Sequence, residues 1–253
     1  MADLKMPFME HLVELRTRLM RMVVAVVIGF LISFWFSEYL LRFIKRPLAT
    51  ELVFLAPAEA FFVNVKLGFF AGIILAIPVI LLECWRFVAP GLLEREKQLT
   101  LPFVVSATFL FLLGAAFCYV IVLPFGIQYL LSYATPDLRP MISVGNYVSF
   151  ATRFMLAFGA VFEVPLVMVF LTLLGVVTPA FLARNRKYAI LMTFIVAAIA
   201  TPGPDVASQI LLGVPMLGLY ELSIFASRFV ERRKKASEEA ASADEQEEAS
   251  GKA

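Results

Sequence analysis

The side chains able to do chemistry in this 253-residue chain are mostly carboxylates. Glu163 lies inside a long apolar run, with Pro165 just after it. If that run crosses a bilayer, a charge there costs on the order of 2.5–3.5 kcal/mol on insertion scales. Such a carboxyl is either protonated or hydrogen-bonded and pins helices together, or it is a polar site for a partner inside the membrane. Gln209 poses the same question at lower cost, and a packing hydrogen bond is expected of it. Asp205 follows Thr201, Pro202, Gly203 and Pro204, and suits an N-cap that accepts from the orphan N–H groups of the next helix. Glu14 and Glu96 sit in charged segments. Glu14 and Arg18 have i, i+4 spacing, so a surface ion pair is one reading. Carboxylates beside a groove also suit bidentate capture of a basic peptide's guanidinium groups.

Other chemistries lack their parts. His11 is the single histidine, which excludes His-based zinc sites and Ser-His triads built within one chain. His11 and Glu14 have the wrong spacing for HExxH, and neither GxxxxGK[ST] nor GxSxG occurs. Cys84 and Cys118 form no disulfide framework and are expected at different membrane depths, as buried free thiols. A formal charge of +2 does not fit a strongly basic nucleic-acid binder. No enzyme activity, metal, cofactor or nucleic-acid partner is therefore expected.

The elements that must position these carboxylates are apolar. Hydrophobic residues make up 61% of the chain and charged ones 17%, against about 25% charged in ordinary soluble domains. One core cannot hide that surface, so lipid is the solvent for most of the chain. Charge-free runs cover 22–37, 67–82, 98–136, 164–183, 188–204 and 206–220. Lipid requires internally paired backbone, and no strand-like alternation suggests a barrel. An all-α polytopic membrane protein follows, with six transmembrane helices near 20–37, 61–84, 101–125, 147–175, 187–201 and 206–227. Spans 5 and 6 are short. Residues 1–229 form the membrane domain. Residues 230–253, rich in Ser, Ala, Glu and Gln, read as a disordered tail.

Phe8, Leu12, Leu15, Leu19 and Met22 share one helical face. Residues 1–20 therefore read as an amphipathic helix at the membrane surface before span 1, without the cleavage site of a signal peptide. Of the 22 Lys and Arg, only Arg42, Lys45, Arg46, Lys66, Arg139 and Arg153 fall on the loops opposite the N-terminus. The positive-inside rule then puts both termini in the cytoplasm. Pro78, Pro102, Pro124, Pro165 and Pro215 lie within or at the ends of spans, which suggests kinked helices and a concave body. Gly68 and Gly72 form a GxxxG pair, read as close helix packing in preference to a dimer face. No repeat relates the two halves, against an inverted-repeat transporter.

Several segments together resemble the TatC family, the multispanning core subunit of the twin-arginine protein translocase. They are His11 to Arg16 with Arg18 and Leu19; Arg46, Pro47 and Leu48; Pro78 to Leu81; Trp85 to Leu92 and the Glu96 that follows. They continue with Ala157, Phe158 and Gly159; Phe162 to Pro165; Thr201 and Pro202; Pro204 to Val206; Ser208 and Gln209; and Pro215 and Met216. The matches keep the family's order across residues 8 to 229. The resemblance implies recognition of folded cargo by a signal peptide with two consecutive arginines. Export across the cytoplasmic membrane would be driven by the proton-motive force, in a homo-oligomeric complex with single-span TatA- and TatB-type subunits. It implies that Glu14 and Glu96 bind the arginines and that Arg16, Leu19 and Phe87 line the same cytoplasmic patch. Glu163, with Gln209 nearby in type, becomes an intramembrane polar site for partner or signal. Pro47 falls in a sensitive outside loop, Asp205 in the turn before span 6, and spans 5 and 6 carry a partner surface. Glu94 departs from the pattern by adding a third carboxylate beside Arg95 and Glu96. The competing readings are a secondary transporter with Glu163 as proton site, short of a second membrane charge, and an intramembrane hydrolase, short of a nucleophile and base.

Overall fold

The computed structural model describes residues 8–48, 51–88, 100–135, 141–200 and 206–251. Its helices are α1 (Phe8–Trp35), α2 (Ser37–Lys45), α3 (Glu59–Val88), α4 (Thr100–Phe117), α5 (Leu123–Leu131), α6 (Val144–Phe162), α7 (Val164–Leu173), α8 (Pro179–Arg184), α9 (Arg186–Ala200) and α10 (Val206–Gly251). A π-helical turn, Cys118–Val122, joins α4 to α5 just before Pro124. Among the described residues the one sheet is a two-residue parallel ladder of β1 (Leu52–Val53) and β2 (Ile142–Ser143), pairing Leu52 with Ile142 and Val53 with Ser143. It links two connections that were expected on the same side of the membrane.

Five of these helical stretches are long and apolar enough to cross a membrane: Leu12–Trp35, Glu59–Phe87, Thr100–Leu131, Val144–Leu173 and Gln209–Arg232. Large apolar side chains lie exposed along them, among them Val23, Val27 and Leu31 on α1 and Leu101, Val105 and Phe109 on α4. A water-soluble monomer does not display such surface, whereas a lipid-solvated one must. The expected fifth span corresponds to α9, whose 15 residues fall short of the roughly 20 that a crossing helix needs.

Span 6 is not short as expected, since Gln209–Arg232 runs 24 residues, and two boundaries also differ from the sequence-based expectation. No Gly or Pro interrupts residues 8–28, so the amphipathic segment is no separate surface helix but the first turns of α1 itself. At the other end, α10 continues through the expected disordered tail to Gly251. That tail is rich in Ala, Glu and Lys, which favour helix without any packing partner, and residues 219–250 hold neither Gly nor Pro. A composition unable to build a core is still able to propagate a helix. The prolines divide similarly. Pro78 and Pro215 are inside helices, while Pro124, Pro165 and Pro179 occupy first turns, where the missing N–H costs nothing.

The chain forms two compact units, Met1–Gly159 and Ala160–Ala253. In the first, α1 packs along α3. The approach is close because both helices present glycine. A Cβ on Gly29 would lie 2.5 Å from the Gly72 carbonyl oxygen, and one on Gly72 would lie 2.5 Å from the Phe30 nitrogen. Gly68 meets the Phe34 backbone in the same way. The GxxxG pair is thus a packing surface within the chain. Val63, Leu67, Ala107, Cys118, Leu123, Val148, Phe154 and Phe158 fill the core.

In the second unit α10 packs on α7, α8 and α9. Gly175, at φ 72°, ends α7 in a left-handed cap: its N–H reaches the Thr172 carbonyl and the Val176 N–H reaches that of Leu171, both at 3.0 Å. Thr178 then caps α8, accepting from the Phe181 N–H at 3.2 Å.

Candidate functional site: a carboxylate and arginine cluster between two helices

The helix register dictates the cluster. Gly29 faces Gly72 on antiparallel helices. Moving as far toward the start of α1 as toward the end of α3 brings Arg18 opposite Glu83. One turn further, Glu14 is level with Phe87. Glu14, Arg18 and Arg21 share the α1 stripe that faces α3.

Arg18 bridges two carboxylates. Its Nε donates to Glu14 Oε1 at 2.9 Å and its Nη2 to the same oxygen, while Nη1 donates to Glu83 Oε2 at 3.2 Å. Arg21 Nη1 and Arg86 Nη1 approach the other Glu83 oxygen at 3.5 and 3.6 Å. Exposure separates strong contacts from weak ones. Glu83 is 5% exposed and Arg18 15%, but Arg21 is 58% and Arg86 50% exposed. Exposed pairs contribute about 0–1 kcal/mol, whereas removing one partner of a buried pair costs about 3–5 kcal/mol. The Arg18–Glu83 contact therefore dominates. Glu14, at 21%, keeps part of its surface open.

Trp85 fixes the far end of α3. Its buried indole donates to Thr100 Oγ1 at 2.7 Å and lies 3.9 Å, centroid to centroid, from Phe103. This bond ties the last turn of α3 to the first of α4. Glu96 belongs to the intervening 89–99 segment, outside the described residues, as does Asp205 in 201–205. Phe87 is half-buried on α3. Arg16 and Leu19 are exposed and leave α1 on other faces than Glu14, so the structure does not gather them with it.

The remaining candidates are separate. Glu163 is half-buried at the break between α6 and α7, where its carbonyl accepts from the Val167 N–H at 2.9 Å. Gln209 Nε2 donates to the Phe194 carbonyl at 3.2 Å, a packing bond from α10 to α9. Pro47 follows α2, whose final carbonyls are clamped by two tyrosines. Tyr119 donates to Phe43 O at 2.7 Å and Tyr147 to Ile44 O at 2.6 Å. Cys118 is buried as expected, but Cys84 is exposed on α3, its Sγ 4.0 Å from Met22 Sδ of α1.

Sequence reasoning missed Glu83 and Glu59. Glu83 ends the charge-free run 67–82 and has Arg86 at i+3, the only local signal of its role. Glu59 accepts from the Leu55 N–H at 2.6 Å, the Gly145 N–H at 2.7 Å and the Ser143 hydroxyl, and so fastens the start of α3 to the start of α6. Among the described residues no group of His, Cys, Asp or Glu is arranged to hold a metal ion.

Relatives put this arrangement in a family. The family model of the Sec-independent protein translocase protein TatC matches residues 10–215. The TatC protein of Desulforapulum autotrophicum is 43% identical over 243 residues, which is 94% of this chain and 90% of that protein. The TatC protein of Aquifex aeolicus is 41% identical over 91% of this chain and 98% of its own length. A crystal structure of the twin arginine translocase receptor TatC superposes with a TM-score of 0.79 at 40% identity, covering 87% of this chain and 99% of that one. The chain belongs to the TatC family of Sec-independent protein translocase proteins, and it is a multi-pass membrane protein of protein transport rather than an enzyme.

Proposed function

We propose that this protein is the receptor of a twin-arginine translocation system. It binds the signal peptides of folded cargo at its cytoplasmic face and organises TatA- and TatB-type single-span partners for export driven by the proton-motive force. Both termini face the cytoplasm, the membrane is the cytoplasmic one, and several copies assemble in the complex. The observation that carries this reading is Glu14: a partly exposed side chain near the start of α1 whose Oε1 already accepts two donors from one guanidinium. A site that holds Arg18 has the geometry for a signal arginine, and charge-assisted bonds gain strength at a half-buried surface.

Glu96 supplies the second carboxylate and Phe87 borders the patch, while Arg16 and Leu19 offer signal contacts from other faces of α1. Glu163, with Gln209, serves partner or signal within the membrane, while Pro47 and Asp205 shape the turns at the other face. An apolar cavity of about 460 Å³ between α7, α8, α9 and α10 supports a partner surface on the last two spans; Met168, Leu182, Met192 and Met216 line it.

Site-specific crosslinking of a purified twin-arginine precursor to the chain in membranes tests the proposal. Glu14→Lys or Glu96→Lys turns attraction into repulsion and is expected to abolish crosslinking at unchanged abundance. Glu96→Gln, which keeps an acceptor but no charge, is expected to weaken it less. If both Lys variants crosslink as wild type does, the receptor site lies elsewhere.

A further inference from the structure

We propose that Arg18 is the chain's own occupant of the arginine subsite at Glu14, and that Glu83 is the positioning residue that takes over Arg18 when a signal arginine arrives. The inference rests on the receptor reading of Glu14 and adds a residue that reading does not contain.

The geometry divides Arg18 between two acceptors. Nε and Nη2 are spent on Glu14 Oε1, and Nη1 on Glu83 Oε2. An incoming guanidinium competes for the contacts that Nε and Nη2 make. Arg18 then has to go somewhere, because a half-desolvated guanidinium without a partner is costly. Glu83 provides the destination. It is nearly sealed from solvent and already bonded to Arg18, and its neighbours Arg21 and Arg86 approach Oε1, leaving Oε2 to Arg18. Gly29 and Gly72 hold α1 and α3 at fixed separation. The exchange therefore needs only a side-chain rotation of Arg18, with no movement of helices.

Charge counting supports exchange over simple attraction. Glu14 and Glu83 face Arg18, Arg21 and Arg86, one positive charge in excess. A signal arginine thus approaches no net negative pocket among these five groups. It gains its contacts at Glu14 because Arg18 keeps a carboxylate after releasing the first. Without Glu83, Arg18 would be held, among the described residues, by Glu14 alone, and the signal would have to strip it of that partner.

The test measures binding of a fluorescent synthetic twin-arginine signal peptide, including its apolar segment, to the full-length chain in lipid nanodiscs. Glu83→Gln is expected to weaken binding about tenfold, equivalent to about 1.4 kcal/mol. Arg18→Gln removes the competitor and is expected to bind several-fold tighter than wild type, a gain that misfolding cannot produce. Combining Arg18→Gln with Glu83→Gln restores binding at least to the wild-type level. Combining Arg21→Gln with Glu83→Gln carries the same net charge but keeps the competitor, and stays weak. If Arg21→Gln rescues as well as Arg18→Gln, Glu83 acts only through its field; if neither rescues, it is only a latch between helices, and either result overturns the hand-over. Glu14→Gln separates the two proposals: binding at the wild-type level there refutes the receptor reading itself, whereas Glu14-dependent binding without Arg18 rescue refutes the hand-over alone.

Discussion

Glu83 Oε2 lies 3.2 Å from Arg18 Nη1 although 65 residues separate them, joining the end of α3 to the early turns of α1. That contact makes the charged end of the helix pair a built cluster, with the Glu83 side chain nearly sealed and that of Glu14 partly exposed. Its geometry depends on the glycine contact further along the same two helices. Polar chemistry at the surface is set here by backbone proximity within the apolar part.

Gly72→Ala is the direct test of that dependence. A Cβ there would fall 2.5 Å from the Phe30 nitrogen and 2.9 Å from the Gly29 carbonyl carbon, and backbone cannot give way as a side chain can. Overpacking of this kind costs about 1–3 kcal/mol. Gly218→Ala is the control, since a Cβ there meets nothing within 4 Å and the helix gains propensity of about 1 kcal/mol. Unfolding midpoints of the purified protein in detergent are expected to fall for Gly72→Ala and to hold or rise for Gly218→Ala. Equal midpoints would mean that α1 and α3 do not pack through Gly72.

Tyr147→Phe is expected to loosen α2. The phenol is buried and donates to the Ile44 carbonyl at 2.6 Å, one of the C-terminal carbonyls that the helix itself cannot satisfy. Losing the bond costs about 1 kcal/mol, near the middle of the range for net hydrogen bonds. Tyr119→Phe is expected to cost less, because that residue is more exposed and keeps its ring 4.3 Å from Phe43. Limited proteolysis after Lys45 reads the difference; equal protection of wild type and Tyr147→Phe would remove the clamp's role.

The apolar runs were legible because lipid leaves few options for a long uncharged segment, and each of them carries helix among its described residues. Gln209 and the GxxxG pair were legible for a similar reason, since each has few ways to be satisfied in a helix. Glu83 was not, because its meaning depends on which two helix ends meet, and nothing local to the run 67–82 says that α1 lies beside it. Glu59 was hidden in the same way, with Ser143 and Gly145 far along the chain. The continuous α1 and the long α10 were misread for the opposite reason. Amphipathicity and composition dominated the reading, while the absence of any helix breaker between residues 8 and 28, or 219 and 250, carried the outcome.

The membrane is expected to be thin beside α9. Its 15 residues span about 22 Å at 1.5 Å per residue, against a hydrocarbon core of about 30 Å. Short helices draw the bilayer in at a cost of fractions of a kcal/mol per Å, and charged Arg186 and Lys187 at its start cannot sink far into the core. Bilayer profiles from electron cryo-microscopy of the protein in nanodiscs are expected to show a local depression there. A uniform thickness around the whole perimeter would refute it.

Glu163 is expected to tolerate glutamine better than alanine. It lies within a single apolar stretch, Val144–Leu173, at the point where α6 gives way to α7. If Glu163 acts by hydrogen bonding to a partner or signal, Glu163→Gln retains most of the export activity, since the amide keeps an acceptor and adds donors. Glu163→Ala is expected to lose about tenfold or more. Insertion energetics make the comparison clean: removing a carboxyl from mid-membrane lowers the insertion cost, so the alanine variant should accumulate at least as well as wild type. Export of a twin-arginine reporter, normalised to the abundance of each variant in the membrane, is the measurement. Full activity of both variants would reduce Glu163 to a packing residue, and loss of accumulation in Glu163→Ala would show that its contacts hold the fold together instead.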